Sequence, residues 1–211
     1  MPEEIPTWFD EVFTRPRIGR YLAAQREEGI PVDALYRWNL QISEAFYPSL
    51  HCLEVTLRNS LHRRLVLSHG RGDWWTSARL DPGEQDMVRK TVADLSRSTP
   101  PSPDDVVAKL SLGFWVSLLS RRYDRRLWSP ALHRAFPHYR GRRDALHTDL
   151  NSIRLFRNRI MHHEPIHHRH LAADHTTILR ILGFLEPEVV KWLSAIDRVP
   201  EVLMNRPLGT S

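Results

Sequence analysis

Apolar residues in this chain recur at spacings of three and four, and that periodicity limits what it can fold into. Leu50, Leu53, Leu57 and Leu61 form one such stripe, and Ile153, Phe156 and Ile160 form another. At about 100° per residue these spacings place side chains on one side of an α-helix, whereas a half-buried strand needs alternation at two. Strand-like alternation is almost absent, and glycine is scarce, 9 in 211 residues. The chain reads as all-α. Its length suits a single helical domain spanning residues 1–211, large enough to bury a real core.

Punctuation divides that pattern. A first helix is expected from about Trp8 to Glu28, carried by Phe9, Val12, Phe13, Ile18, Tyr21 and Leu22. Pro31 opens a long segment to about Ser68, in which Pro48 should break or kink the helix. These N-terminal helices cover about residues 8–69, and Gly70 to Asp73 ends them. Asp81-Pro82-Gly83-Glu84 starts a helix that should end near Ser98, and Thr99-Pro100-Pro101-Ser102-Pro103 is a linker. Ser102-Pro103-Asp104-Asp105 caps the next helix, and short helices are expected over Leu110–Arg121 and Pro130–Phe136. Gly141 and Arg142 open a helix that runs to about His163, where Pro165 stops it. A final pair covers about Leu171–Leu185 and Pro187–Asp197, and Val199 onward reads as a frayed tail.

Charges interrupt every apolar run before it reaches the ~18 residues of a membrane span. The start, Met1-Pro2-Glu3-Glu4-Ile5-Pro6, lacks the apolar core of a signal peptide. The single cysteine, Cys52, excludes an internal disulfide and a cysteine-based zinc site. A soluble cytoplasmic protein without membrane attachment is expected. The net charge is +5, and all the basic residues except Lys90, Lys109 and Lys191 are arginines. A planar guanidinium grips phosphate in two places, so this balance suits a polyanionic partner, although codon bias gives the same ratio.

The stretch richest in chemistry is Arg157-Asn158-Arg159-Ile160-Met161-His162, followed by His163-Glu164-Pro165-Ile166. Projected on a helix, Arg154, Arg157, Asn158, Met161 and His162 share one broad face, with Asn151 and His147 one and two turns earlier. Cutting RNA through its own 2′-hydroxyl needs a base, an acid for the leaving 5′-oxygen, and a cation over the non-bridging oxygens. Imidazole, with an ordinary pKa near ~6.5, serves as base or acid near neutral pH. His162 would supply that group, Arg157 the cation, and Asn158 would orient the phosphate or the imidazole. One motif supplies one histidine, so a two-fold dimer would complete the pair. The alternative is an exposed basic helix end, in which His162 and His163 complement the helix dipole.

Arg157-Asn158-x-x-x-His162 resembles the Arg-x4–6-His motif of the HEPN superfamily. The longer string from Ile153 to Ile166 is similar to its abortive-infection (Abi-like) branch. So are Trp38-Asn39 with Ser43 to Pro48, Leu53-Glu54 with Leu57-Arg58-Asn59, and Leu112-Gly113-Phe114-Trp115. The resemblance spans about residues 38–170. It implies a HEPN-like helical bundle, here with additional N-terminal and C-terminal helices, commonly dimeric. It also implies a metal-independent endoribonuclease that leaves a 2′,3′-cyclic phosphate, used in toxin–antitoxin systems or phage defence. Carried over, Arg157 and His162 would be catalytic and Asn158 supportive, with no cofactor and no metal. The expected partners are RNA, a second copy of the chain, and an antitoxin or other defence-operon protein. The other reading is a non-catalytic module that binds RNA or nucleotides.

Supporting positions follow from neighbouring patterns. His51, Glu54, Arg58 and His62 share a helix face at steps of three and four. Glu54 and Arg58 are expected to pair within that helix. The alternative is that this helix packs on the Arg157 helix, where Glu54 would position an arginine or Arg58 would add a phosphate contact. Arg154, His163 and Met161 complete the candidate RNA-binding set. His163 and His167 have the i, i+4 spacing of a zinc pair, but Pro165 between them should break that geometry. His167 to His170 are expected in a solvated loop. Trp74, Trp75 and Trp115 are expected in the core, with base stacking as the alternative.

Overall fold

The computed structural model describes residues 7–96 and 100–209 and is all-α; among these residues there is no strand. The first expected helix is two. α1 (Thr7–Phe13) and α2 (Arg15–Glu28) are separated by Thr14 at φ 60°. The cause is Pro16, which has no N–H to continue the hydrogen bonds of α1 and whose ring crowds the preceding turn, but which fits the first turn of a new helix. α3 (Val32–Ala45) and α4 (Tyr47–His69) meet at Phe46, with Pro48 in the first turn of α4, so the expected break occurs. Gly29 and Gly70 end α2 and α4 in the left-handed conformation, at φ 70° and 69°.

α4 is the spine of the molecule. Its 23 residues extend about 34 Å at ~1.5 Å per residue, and Leu50, Leu53, Leu57, Leu61 and Leu65 are buried along one seam. α9 (Leu171–Leu185) lies along that seam with Ile178, Ile181 and Leu182 fully enclosed. α8 (Arg143–Met161) packs on α9 and on α7 (Leu112–Ser117) through Leu146, Leu150, Ile153, Phe156 and Ile160. The apolar stripe predicted for the motif helix is therefore its docking face. Trp74 and Trp115 are fully buried beside Phe114, so they are core residues.

α5 (Pro82–Leu95) packs on α6 (Pro103–Lys109). The expected end of α5 near Ser98 and the start of the linker at Thr99 lie outside the described residues. α6 begins with a full capping box: the Ser102 hydroxyl accepts from the Asp105 N–H while the Asp105 carboxylate accepts from the Ser102 N–H. Between α7 and α8 the chain runs through 3-10 turns at Arg121–Tyr123 and Leu132–Ala135 and a π-helical turn at Asp124–Trp128. Glu84 is buried at the start of α5, where its carboxylate accepts from the Tyr123 hydroxyl (2.7 Å) and pairs with Arg122. Burial, and secondarily that carboxylate, push the Tyr123 phenol up to about 12.

The C-terminal segment is not frayed. α10 (Pro187–Leu193) is followed by α11 (Val199–Met204), which buries Val199 and Val202 against α3. The Trp38 indole donates to the Val202 carbonyl (2.8 Å), and Arg206 pairs with Glu28 (2.9 Å). His175 on α9 meets Asp197 at 2.7 Å, which ties the segment down from its other end. Gly209 lies so close to the Glu28 carbonyl that a Cβ there would stand 1.8 Å from it. Short apolar runs around Pro200 hid this docking from sequence periodicity. No helix is long and apolar enough to cross a membrane, among the described residues.

Candidate functional site

α8 stops at Met161, one residue before the candidate histidine, and the way it stops places the site. His162 is its C-cap, and His163 follows at φ 58°. The His163 N–H bonds to the Ile160 carbonyl (3.0 Å) and the Glu164 N–H to the Arg159 carbonyl (2.8 Å), the two bonds of a Schellman motif. Where that motif commonly carries an apolar contact, Arg159 and Glu164 form an ion pair at 3.3 Å. The helix thus ends in a turn held by side chains and backbone together, with the His162 and His163 rings exposed.

Arg157 sits one and a half turns earlier, half-buried. Its Nη2 is 3.3 Å from the Glu54 carboxylate on α4. The expected Glu54–Arg58 pair is therefore overturned, because Glu54 reaches across to α8. Arg58 instead donates to the Ala108 carbonyl and to the Asn59 side chain, both at 3.2 Å. The Arg157 Nε is buried with no hydrogen-bond partner among the described residues. Arg154 donates twice to the Asn151 side-chain oxygen, at 3.0 and 3.1 Å, and its stem lies against Gly113 on α7. Asn158 is half-buried beside Arg157, and Met161 packs on the core. Burial, then Arg143 and Arg154, hold the His147 imidazole below its ordinary range.

The segment after the motif is clamped from the N-terminal helices. Arg17 on α2 donates to the His163 carbonyl at 2.5 Å, and Arg20 donates to the His168 Nε2 at 2.8 Å. Arginine has no acceptor, so the His168 Nε2 carries no proton. The Asn39 side-chain oxygen on α3 accepts from the backbone N–H groups of Ile166 (2.8 Å) and His167 (3.1 Å). Sequence reasoning missed these three anchors as contributors. One signal was present: Asn39 is a polar residue on the apolar stripe of Leu35, Trp38 and Ile42, and it is buried.

His167 departs from the expected solvated loop. It is 7% exposed, its ring 4.8 Å from that of Tyr21, and neither ring nitrogen has a hydrogen-bond partner among the described residues. Burial, then His168 and Arg206, push it down to about 4. His163 is exposed on the preceding turn, so the two do not form a pair. Among the described residues no three His, Cys, Asp or Glu side chains gather as a metal-holding group. His62 accepts from the Trp74 indole (3.0 Å), and burial lowers its pKa, so that end of the α4 face is structural.

What the site offers chemically is an exposed imidazole at a helix end, a half-buried guanidinium aligned by a carboxylate from another helix, and an amide between them in sequence. No family model, no curated protein and no solved structure matches this chain.

Proposed function

We propose that this chain is a metal-independent endoribonuclease of the HEPN type, acting as a homodimer in toxin–antitoxin or phage-defence biology. The observation that carries the reading is the cross-helix pairing of Arg157 with Glu54, with an exposed His162 capping the end of the same helix. A catalytic cation must be held in place before substrate arrives, and the carboxylate from α4 does that.

In the proposed reaction, the 2′-oxygen attacks phosphorus while one His162 imidazole takes its proton. The bond from phosphorus to the 5′-oxygen breaks, and the leaving oxygen receives a proton from the His162 of a second copy. Arg157 faces the non-bridging oxygens as charge builds on them, and Asn158 orients the phosphate. The products are a 2′,3′-cyclic phosphate and a free 5′-hydroxyl.

Incubating RNA with purified protein in EDTA tests this. Cleavage is expected to persist, and His162→Ala and Arg157→Ala each to lose on the order of 10²–10⁴ in rate while staying folded. Cleavage only on addition of a divalent ion sinks the mechanism. One observation favours a second reading, a non-catalytic RNA- or nucleotide-binding module: Glu54 already neutralises part of the Arg157 charge. That reading expects salt-sensitive binding, no cleavage products and no effect of His162→Ala.

A further inference from the structure

Two open hollows, with volumes of about 700 and 740 Å³, share Trp128 and Ser129 in their linings, and the second opens on the N-terminal half of α8. Both are bordered by Trp128, so a strand crossing that residue would occupy the two as one groove. The first hollow is lined by Arg64, Arg134, Arg140 and His133 and by the rings of Tyr139 and Trp128, with no carboxylate among its lining residues. Among the described residues, Arg64 and Arg134 have no hydrogen-bond or ion-pair partner, and Arg140 donates only to the Pro137 and Tyr139 carbonyls. In the second hollow Arg142 and Arg143 are matched by Asp144 (2.7 Å) and Asp124 (3.0 Å), which leaves Arg121 unpaired among the described residues.

We infer that this groove binds single-stranded RNA, leading the strand to the Arg157–His162 end of α8. The inference rests on the proposed reading of RNA as substrate and adds where the strand lies. Unpaired guanidiniums along a groove attract a polyanion and take its phosphates, while an accessible aromatic ring stacks an unpaired base. A duplex keeps its bases inside and has no use for the ring, and an acidic protein would use the arginines alone. The ring is held by an unusual element. Asp124–Trp128 is a π-helical turn, closed by the Ser129 N–H on the Asp124 carbonyl (2.9 Å), a geometry that recurs at functional positions. Trp128 is half-buried on it, with Phe136 at 6.0 Å.

The groove also points the right way. His147 lines the second hollow, and His147, Asn151, Arg154 and Asn158 follow at three- and four-residue steps along α8. Arg157 stands ten residues beyond His147, about 15 Å along the axis at ~1.5 Å per residue. A strand leaving the groove on that side therefore runs along the polar stripe to the motif.

The test is fluorescence anisotropy of the full chain with a labelled 2′-O-methyl oligouridylate, which has no nucleophile and is not cut. Arg64→Ala and Arg134→Ala are each expected to weaken binding on the order of fivefold and to lower the salt slope by about 0.7. Trp128→Leu is expected to weaken it about five- to hundredfold, with Trp128→Tyr close to wild type. Circular dichroism checks each fold; if Trp128→Leu does not fold, the two arginine variants and Trp128→Tyr decide. Unchanged affinity and salt slope in both arginine variants overturns the inference, as does polyglutamate or duplex RNA competing as well as the single strand. Should unmodified RNA be cut while these substitutions leave affinity unaltered, the groove fails and the catalytic reading stands. Should the strand bind through these residues and unmodified RNA stay intact, the groove stands and the catalytic reading fails.

Discussion

Both ring nitrogens of His167 are buried without a partner among the described residues, and burial, helped by His168 and Arg206, pushes the imidazole down to about 4 from 6.5. The folded protein thus excludes a proton that the unfolded chain takes up. Stability from this residue is present above the unfolded value and is lost as pH falls through the folded one, with a slope of at most ~1.4 kcal/mol per pH unit. His167→Phe keeps the ring against Tyr21 and removes the titration. Urea melts at pH 8 and pH 5 are expected to show the variant gaining on wild type at the lower pH; parallel losses would contradict this. At the site, Glu54→Ala should lower the cleavage rate about 10- to 100-fold through a misplaced Arg157, with little change in melting temperature. Equal rates would make the Glu54–Arg157 pair structural. The sequence offered both partners for Glu54, and only the tertiary fold, which brings Arg157 on α8 within reach of α4, selected it. His167 was illegible for a similar reason, since a run of histidines after a proline carries the pattern of a wet loop. Tyr21, which covers it, lies 146 residues earlier in the chain.

Among the elements, helix existence was legible and helix ends less so. The stripes on α4 and α8 announced themselves, as did the starts at Asp81-Pro82 and Ser102-Pro103. The end of α8 was not marked by glycine, because His163 occupies the left-handed position of its Schellman motif. A non-glycine residue there carries a strain of roughly 1 kcal/mol, so His163→Gly should raise unfolding free energy by up to ~1 kcal/mol in chemical denaturation. A loss would mean that the imidazole makes a stabilising contact. The α4 seam sets a larger scale. Leu61 is fully buried, and Leu61→Ala is expected to cost about 2–5 kcal/mol, measured the same way. The π-helical turn at Asp124–Trp128 gave no sequence signal, since it differs from an α-turn by one residue of register.

Across the whole molecule, N-terminal helices hold the segment that follows the motif, and the last helix braces one of them. α2 and α3 clamp it through Arg17, Arg20 and Asn39, and α11 in turn packs on α3. A dimer with paired sites makes a distinct prediction for this assembly. Each hybrid of a wild-type and a His162→Ala chain keeps only one of the two histidines the reaction uses, so adding the His162→Ala chain should depress cleavage below simple dilution of the wild type. A strictly proportional fall after subunit exchange, verified by energy transfer between labelled chains, would exclude a shared site.

α8 is at once a core helix, the wall of the Trp128 groove and the bearer of the Arg157–His162 motif, and it has no break along its 19 residues. It behaves as one rigid shaft, so the angular setting between its two ends is a matter of residue count. Inserting one alanine after Ser152 would turn one end against the other by about 100° and lengthen the shaft by ~1.5 Å. Ile153, Phe156 and Ile160 would have to leave the core, or the groove and the motif would face different sides of the molecule. Inserting a residue between Pro137 and Gly141 leaves that phase intact. The frame of the helix, more than any one side chain, keeps the two regions in step.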